Sequence, residues 1–215
     1  MKKHELLTQL LEDKLVGIIR TDSFDKAIKI ADACIEGGVK IIEVTFTSPG
    51  TEGVIQKLSN KYRGTDVVIG AGTVLDSETA RIAILHGAEF VVAPSLNIEV
   101  IKLCNRYNKL CIPGIMTVTE IVQALELGVE LVKIFPAASL GMGFIKSIKA
   151  PIPQVMIMPT GGVSLDNALD WLKAGSSALG IGGSLTNAAK DGDFENVVAT
   201  AKEFRNVINN YNKEA

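Results

Sequence analysis

Gly37-Gly38-Val39-Lys40-Ile41-Ile42-Glu43-Val44-Thr45 ends one element and begins another. A glycine closing a helix supplies the left-handed residue that stops it. The run that follows is apolar on both faces but for one glutamate, as a parallel strand buried beneath helices requires. The same ending recurs at Gly87-Ala88-Glu89, Gly128-Val129-Glu130 and Gly175-Ser176-Ser177. The intervals are roughly 40 to 50 residues, each room for two βα units. Upstream, Ser23 is placed to cap a helix whose face carries Ala27, Ile28, Ala31, Cys34 and Ile35. Strands are expected at 15–19, 40–45, 66–70, 89–93, 110–113, 130–135, 154–158 and 177–180. A last helix presents Phe194, Val197, Val198, Ala201, Phe204, Ile208 and Tyr211 at helical spacing. Eight units in this length leave roughly 27 residues each, tight for a closed barrel but workable. The expectation is an α/β chain forming one (β/α)8 TIM-barrel domain over 1–215, with a short N-terminal helix. It is favoured over an open doubly wound sheet.

At 215 residues, 47% hydrophobic and 21% charged, the chain can bury a sizeable core. Its 22 basic and 24 acidic residues give a net charge of −2, which argues against a nucleic-acid partner. The longest charge-free stretches, 150–165 and 174–189, are glycine-broken and too short to span a bilayer as helices, so no membrane partner is expected. The N-terminal residues reach Glu12 and Asp13 before any apolar run of signal-peptide length. Three cysteines (Cys34, Cys104, Cys111) without a C-x-x-C spacing read as free thiols of a cytoplasmic protein. Two histidines, His4 and His86, argue against a histidine metal site and against a Ser-His-Asp hydrolase.

In such barrels, reactive groups gather at the C-terminal ends of the strands. Lys133 sits inside Leu131-Val132-Lys133-Ile134-Phe135, where burial penalises the ammonium and favours a nucleophilic amine. A structural lysine paired with a buried carboxylate explains it equally well. Glu43 shares its strand face with Ile41 and Thr45, so it points inward if Ile42 and Val44 pack on helices. Lysine and glutamate inside barrel strands together tilt the balance toward imine chemistry, which needs a base to move protons. Arg20, at the mouth of the first strand, suits a planar carboxylate, although surface arginines at strand ends are common. Gly70-Ala71-Gly72-Thr73-Val74 offers close backbone approach and a hydroxyl. Gly161-Gly162 and Gly182-Gly183-Ser184 follow the seventh and eighth expected strands, where backbone N–H groups cradle phosphate in such folds. His86 at a helix end, Trp171 on an apolar helix face and the Thr117–Glu120 capping box read as structural.

Read in order, these segments resemble the class I aldolases acting on 2-keto-3-deoxy-6-phosphogluconate (KDPG) and 2-keto-4-hydroxyglutarate (KHG). The resemblance also draws on Pro113-Gly114-Ile115-Met116-Thr117, Lys133-Ile134-Phe135-Pro136 and Pro159-Thr160-Gly161-Gly162-Val163. It runs across nearly the whole chain, and the K-x-F-P strand together with P-T-G-G is its most specific part. The resemblance implies a barrel, typically a homotrimer, with small 2-keto acids as its partners and no metal or organic cofactor. It makes Lys133 the Schiff-base lysine, Glu43 the general acid/base and Thr73 a carboxylate ligand. Gly162, Gly183 and Ser184 would hold phosphate, with Pro94 and Phe135 lining the pocket. Many members carry arginine four residues after the glutamate; here that position is Thr47. Arg20 is the cation expected to take over the substrate carboxylate. Ser48-Pro49 is also similar to the related 6-phosphogalactonate aldolases, which stand as an alternative. A phosphosugar isomerase or epimerase on the same barrel would use the phosphate loops and Glu43 but has no need of Lys133. A non-catalytic binding relative would lack the Lys–Glu pair.

Overall fold

The computed structural model describes residues 2–214. Its strands are β1 (Leu15–Ile19), β2 (Ile41–Thr45), β3 (Val68–Gly72), β4 (Phe90–Val92), β5 (Leu110–Ile112), β6 (Gly114–Ile115), β7 (Leu131–Ile134), β8 (Met156–Pro159) and β9 (Leu179–Ile181). The helices are α1 (Lys3–Asp13), α2 (Phe24–Glu36), α3 (Thr51–Lys61), α4 (Ser77–Leu85), α5 (Ile98–Arg106), α6 (Val118–Glu126), α7 (Ala137–Lys149), α8 (Ala168–Lys173), α9 (Gly183–Thr186) and α10 (Phe194–Glu214). A 3-10 turn, Asn187–Asp191, follows α9. All described strand pairs are parallel. They form a six-stranded sheet ordered β5-β4-β3-β2-β1-β9 and a three-stranded sheet ordered β6-β7-β8.

Strand alternation divides the interior into two cores. Val16, Ile41, Val68, Phe90 and Leu110 from the larger sheet meet Leu131 and Met158 from the smaller one in a single inner cluster. The larger sheet therefore curls, and the smaller one faces the same interior. Ile42, Val44, Val132 and Ile134, on the other face, join the helices in an outer cluster. Leu6, Leu7 and Leu10 of α1 belong to the inner cluster, so α1 covers one end of it. The sheets touch at two seams. Pro113 separates β5 from β6 because it has no N–H to give, while its carbonyl accepts the Lys133 N–H at 2.9 Å. Across the other seam, Thr160 bridges Gly180, and the N–H of Ser177 reaches the Ile157 carbonyl at 2.8 Å.

Gly38, Gly87, Gly128 and Gly175 have φ of +92°, +101°, +77° and +107°, as the helix endings require. The expected strands at 66–70, 154–158 and 177–180 lie about two residues further along. Lys40 holds the Asp66 side chain outside β3. Lys149 holds the carbonyls of Pro153 and Val155 just ahead of β8. β3 continues through Gly70 and Gly72, residues that weaken a strand unless something must approach closely. Here Phe90 and Glu43 do, since a Cβ at either glycine would overlap them.

Candidate functional site

Glu43 is fully buried on the inner face of β2, one step from Ile41. Gly72, opposite Thr45 in the parallel register, leaves the space its carboxylate fills. Among the described residues neither carboxylate oxygen has a hydrogen-bond partner. Burial raises its pKa above the ordinary carboxylate range, and the charges of Lys133 and Arg20 pull it back down. An acid held this way is suited to take and return protons. Lys133, 5% exposed, projects from the inner face of β7, with Nζ 5.1 Å from the centre of the Phe135 ring.

Arg20 stands one residue beyond β1, and its Nη2 donates to Thr73 Oγ1 at 3.5 Å. Thr73 itself has φ +56°, the left-handed region, costing a β-branched residue about 1–3 kcal/mol. Strain of that kind concentrates where a side chain must face a ligand. The segment carrying Arg20 is tied to the loop after β2. Thr21 N–H donates to the buried Ser48 Oγ at 3.1 Å, and Thr45 Oγ1 donates to the Ile19 carbonyl at 3.0 Å. Thr47 is exposed, its hydroxyl 3.0 Å from that of Thr45.

At the other end, Gly161 and Gly162 have φ of +85° and +93°. A Cβ at Gly162 would overlap Ala138, so the turn is closed to larger residues. Asn167 Nδ2 donates to the Gly162 carbonyl at 2.9 Å and holds it in place. Gly182, Gly183 and Ser184 open the short α9 beyond β9.

All of these groups border one cavity of about 850 Å³: Lys133, Glu43, Thr73, Arg20, Thr47, Pro94, Phe135, Gly161, Gly162, Gly182, Gly183 and Ser184. Asp22, Lys26, Thr160, Asn187 and Lys190 line it as well and were not singled out in the sequence. Thr160 is buried and its hydroxyl has no partner among the described residues, yet it sits within the Pro-Thr-Gly-Gly stretch already in view. Arg20, Lys26, Lys133 and Lys190 face the cavity, and no ion pair within 4.0 Å engages any of them among the described residues. Four cations with no ion pair among the described residues, in a chain of net charge −2, suit this cavity to an anion. His86 accepts its place as a helix end, Nδ1 lying 2.8 Å from the Ile82 carbonyl; Trp171 is buried; Thr117 and Glu120 form a capping box.

Residues 7–200 match the profile of the family described as KDPG and KHG aldolase. A 2-dehydro-3-deoxy-phosphogluconate aldolase from Haemophilus influenzae is 39% identical over 169 residues, covering 78% of this chain and 79% of the relative. A 2-dehydro-3-deoxy-6-phosphogalactonate aldolase from Escherichia coli K12 is 32% identical, over 90% of this chain and 96% of its own. Among solved structures, a KDPG aldolase from Legionella pneumophila, with pyruvate captured at low pH as a covalent carbinolamine intermediate, superposes with a TM-score of 0.84. It is 26% identical and covers 90% of this chain and 95% of that one.

Proposed function

We propose, for a chain that belongs to the KDPG and KHG aldolase family, that Lys133 and Glu43 perform Schiff-base aldol cleavage in the 850 Å³ cavity. The enzyme is a lyase. It cleaves 2-keto-3-deoxy-6-phosphogluconate to pyruvate and glyceraldehyde 3-phosphate, and 2-keto-4-hydroxyglutarate to pyruvate and glyoxylate. The observation that carries the reading is a buried lysine and a buried carboxylate, without a hydrogen-bond partner among the described residues, facing one cavity that Arg20, Lys26 and Lys190 also line.

The chemistry follows from that pair. The Lys133 amine attacks the C2 ketone, and Glu43 gives a proton to the departing hydroxyl, so water leaves and an imine forms. The protonated imine draws electrons from the C3–C4 bond. Glu43, now a carboxylate, takes the C4 hydroxyl proton as that bond breaks. The resulting enamine is reprotonated at C3 and the imine hydrolysed, which releases pyruvate and frees Lys133. The phosphate end of the substrate lies on Gly161, Gly162, Gly182, Gly183 and Ser184. A coupled assay for pyruvate release tests the reading, with phosphogluconate-, phosphogalactonate- and hydroxyglutarate-derived substrates side by side. Turnover of the phosphogluconate derivative is expected, with the phosphogalactonate compound as the alternative; no pyruvate from any of the three contradicts it.

Arg20 and Thr73 are assigned the pyruvyl carboxylate, since they touch each other at the cavity and Thr47 brings no charge. A charge-assisted hydrogen bond contributes roughly 1.5–3 kcal/mol, about one to two powers of ten in binding. Arg20→Ala should raise the apparent constant for pyruvate in condensation by that factor. Arg20→Lys should recover part of it, because an ammonium lacks the paired contact. An unchanged constant would return Arg20 to the role of a surface residue.

We read the two sheets as one closed (β/α)8 barrel forming a single domain. Support comes from the shared inner cluster, the Thr160–Gly180 bridge and the single proline between β5 and β6. A homotrimer is supported by the apolar residues that the consecutive α4, α5 and α6 and their approaches expose: Leu75, Ile82, Leu85, Ile98, Met116, Val118 and Val122. Among the described residues no helix is long and apolar enough to cross a membrane. Three free, buried thiols, with burial pushing Cys34 up to about 12, fit a reducing cytoplasm.

A further inference from the structure

We infer that Lys26 and Lys190 form a second cation pair at the far end of the cavity and decide how strongly the enzyme prefers a phosphorylated substrate. This rests on the aldolase reading and extends it from the reacting end to the distal one. Both residues line the same cavity as Gly183 and Ser184. Lys26 Nζ donates to the Lys190 carbonyl at 3.1 Å, which brings the first turn of α2 against the turn that follows α9. Lys26 is half-buried there, and neither lysine has an ion-pair partner within 4.0 Å among the described residues.

Helix preference does not explain Lys26. It lies in the first turn of α2, where Ser23 Oγ already accepts its backbone N–H and where the helix dipole disfavours a cation. Charge matching does explain it. A phosphorylated 2-keto acid brings one carboxylate charge and a phosphate of roughly −1.5 to −2 at neutral pH, using phosphate monoesters as the guide. At the reacting end Lys133 is consumed as the imine and Arg20 with Thr73 takes the carboxylate. The glycine turns supply N–H groups but no full charge, so Lys26 and Lys190 are the cations left for phosphate. Asp22 also borders the cavity and is engaged by the Thr21 hydroxyl at 3.2 Å.

The test compares Lys26→Met, Lys190→Met and the double variant with the parent enzyme. Two measurements are made: kcat/KM on the phosphorylated six-carbon substrate against 2-keto-4-hydroxyglutarate, and calorimetric affinity for inorganic phosphate. The double variant should lose roughly ten- to hundredfold more on the phosphorylated substrate than on the shorter one, chiefly through KM. Its phosphate affinity should fall in parallel, and Lys26→Arg should restore much of both. Equal losses on the two substrates, or phosphate affinity unchanged in the double variant, would overturn the proposal. If the parent enzyme cleaves neither substrate, the aldolase reading fails by itself, and phosphate affinity still decides the cation pair.

Discussion

A Lys133→Met enzyme should release no pyruvate above background, a loss on the order of 10⁴-fold or more, because the covalent step disappears with the amine. Methionine keeps the unbranched stem and removes the buried charge. Removing one partner of a buried charge pair leaves the other uncompensated, at a cost of about 3–5 kcal/mol while that charge persists. The melting temperature should therefore fall at neutral and high pH and hold at acidic pH, where Glu43 takes up a proton. Lys133→Arg should be equally inactive, since a guanidinium keeps the charge but does not form the imine. Substantial turnover in either variant, checked by the coupled pyruvate assay, would make Lys133 a positioning cation. It would also favour an isomerase or epimerase chemistry that needs only Glu43 and the phosphate loops.

Glu43→Gln should lose roughly 10²–10⁴-fold in kcat, the usual contribution of a general acid–base group. Its effect on stability should run the other way, with a definite pH dependence. The folded protein holds the Glu43 proton more tightly than the unfolded chain does, because burial raises its pKa. That contribution is fully present below the ordinary carboxylate value of about 4.5 and is lost as pH rises through the raised folded value. The parent enzyme therefore weakens with rising pH relative to Glu43→Gln, which has nothing to ionise. Thermal melts across pH 4 to 9 should show the variant gaining on the parent as pH increases. Equal turnover, with parallel melting curves, would reduce Glu43 to a structural partner of Lys133.

The sequence made the inner and outer faces of β2 and β7 legible, because Ile41 and Glu43 alternate with Ile42 and Val44, and Leu131 and Lys133 alternate with Val132 and Ile134. Period-two alternation places a lone charge on a face without knowledge of its neighbours. The glycine helix endings were legible for a similar reason: each is a local conformational need. Strand ends were less so. Gly70 and Gly72 look like the end of a strand, and only the positions of Phe90 and Glu43, distant in sequence, explain why β3 runs through them. The inward packing of Leu6, Leu7 and Leu10 also escaped a reading of periodicity, since it depends on which end of the inner core α1 meets. Lys26 and Lys190 lay on helical and turn surfaces among many other lysines. The one local signal for Lys26 was a cation in a first helical turn, against the dipole.

Borohydride reduction in the presence of pyruvate, followed by peptide mass analysis, tests the covalent step most directly. One peptide, that containing Lys133, should carry the reduced pyruvyl adduct, and Lys133→Met should carry none. An adduct on a different lysine, or no adduct on enzyme that still cleaves its substrate, would contradict the assignment of Lys133 as the imine-forming residue.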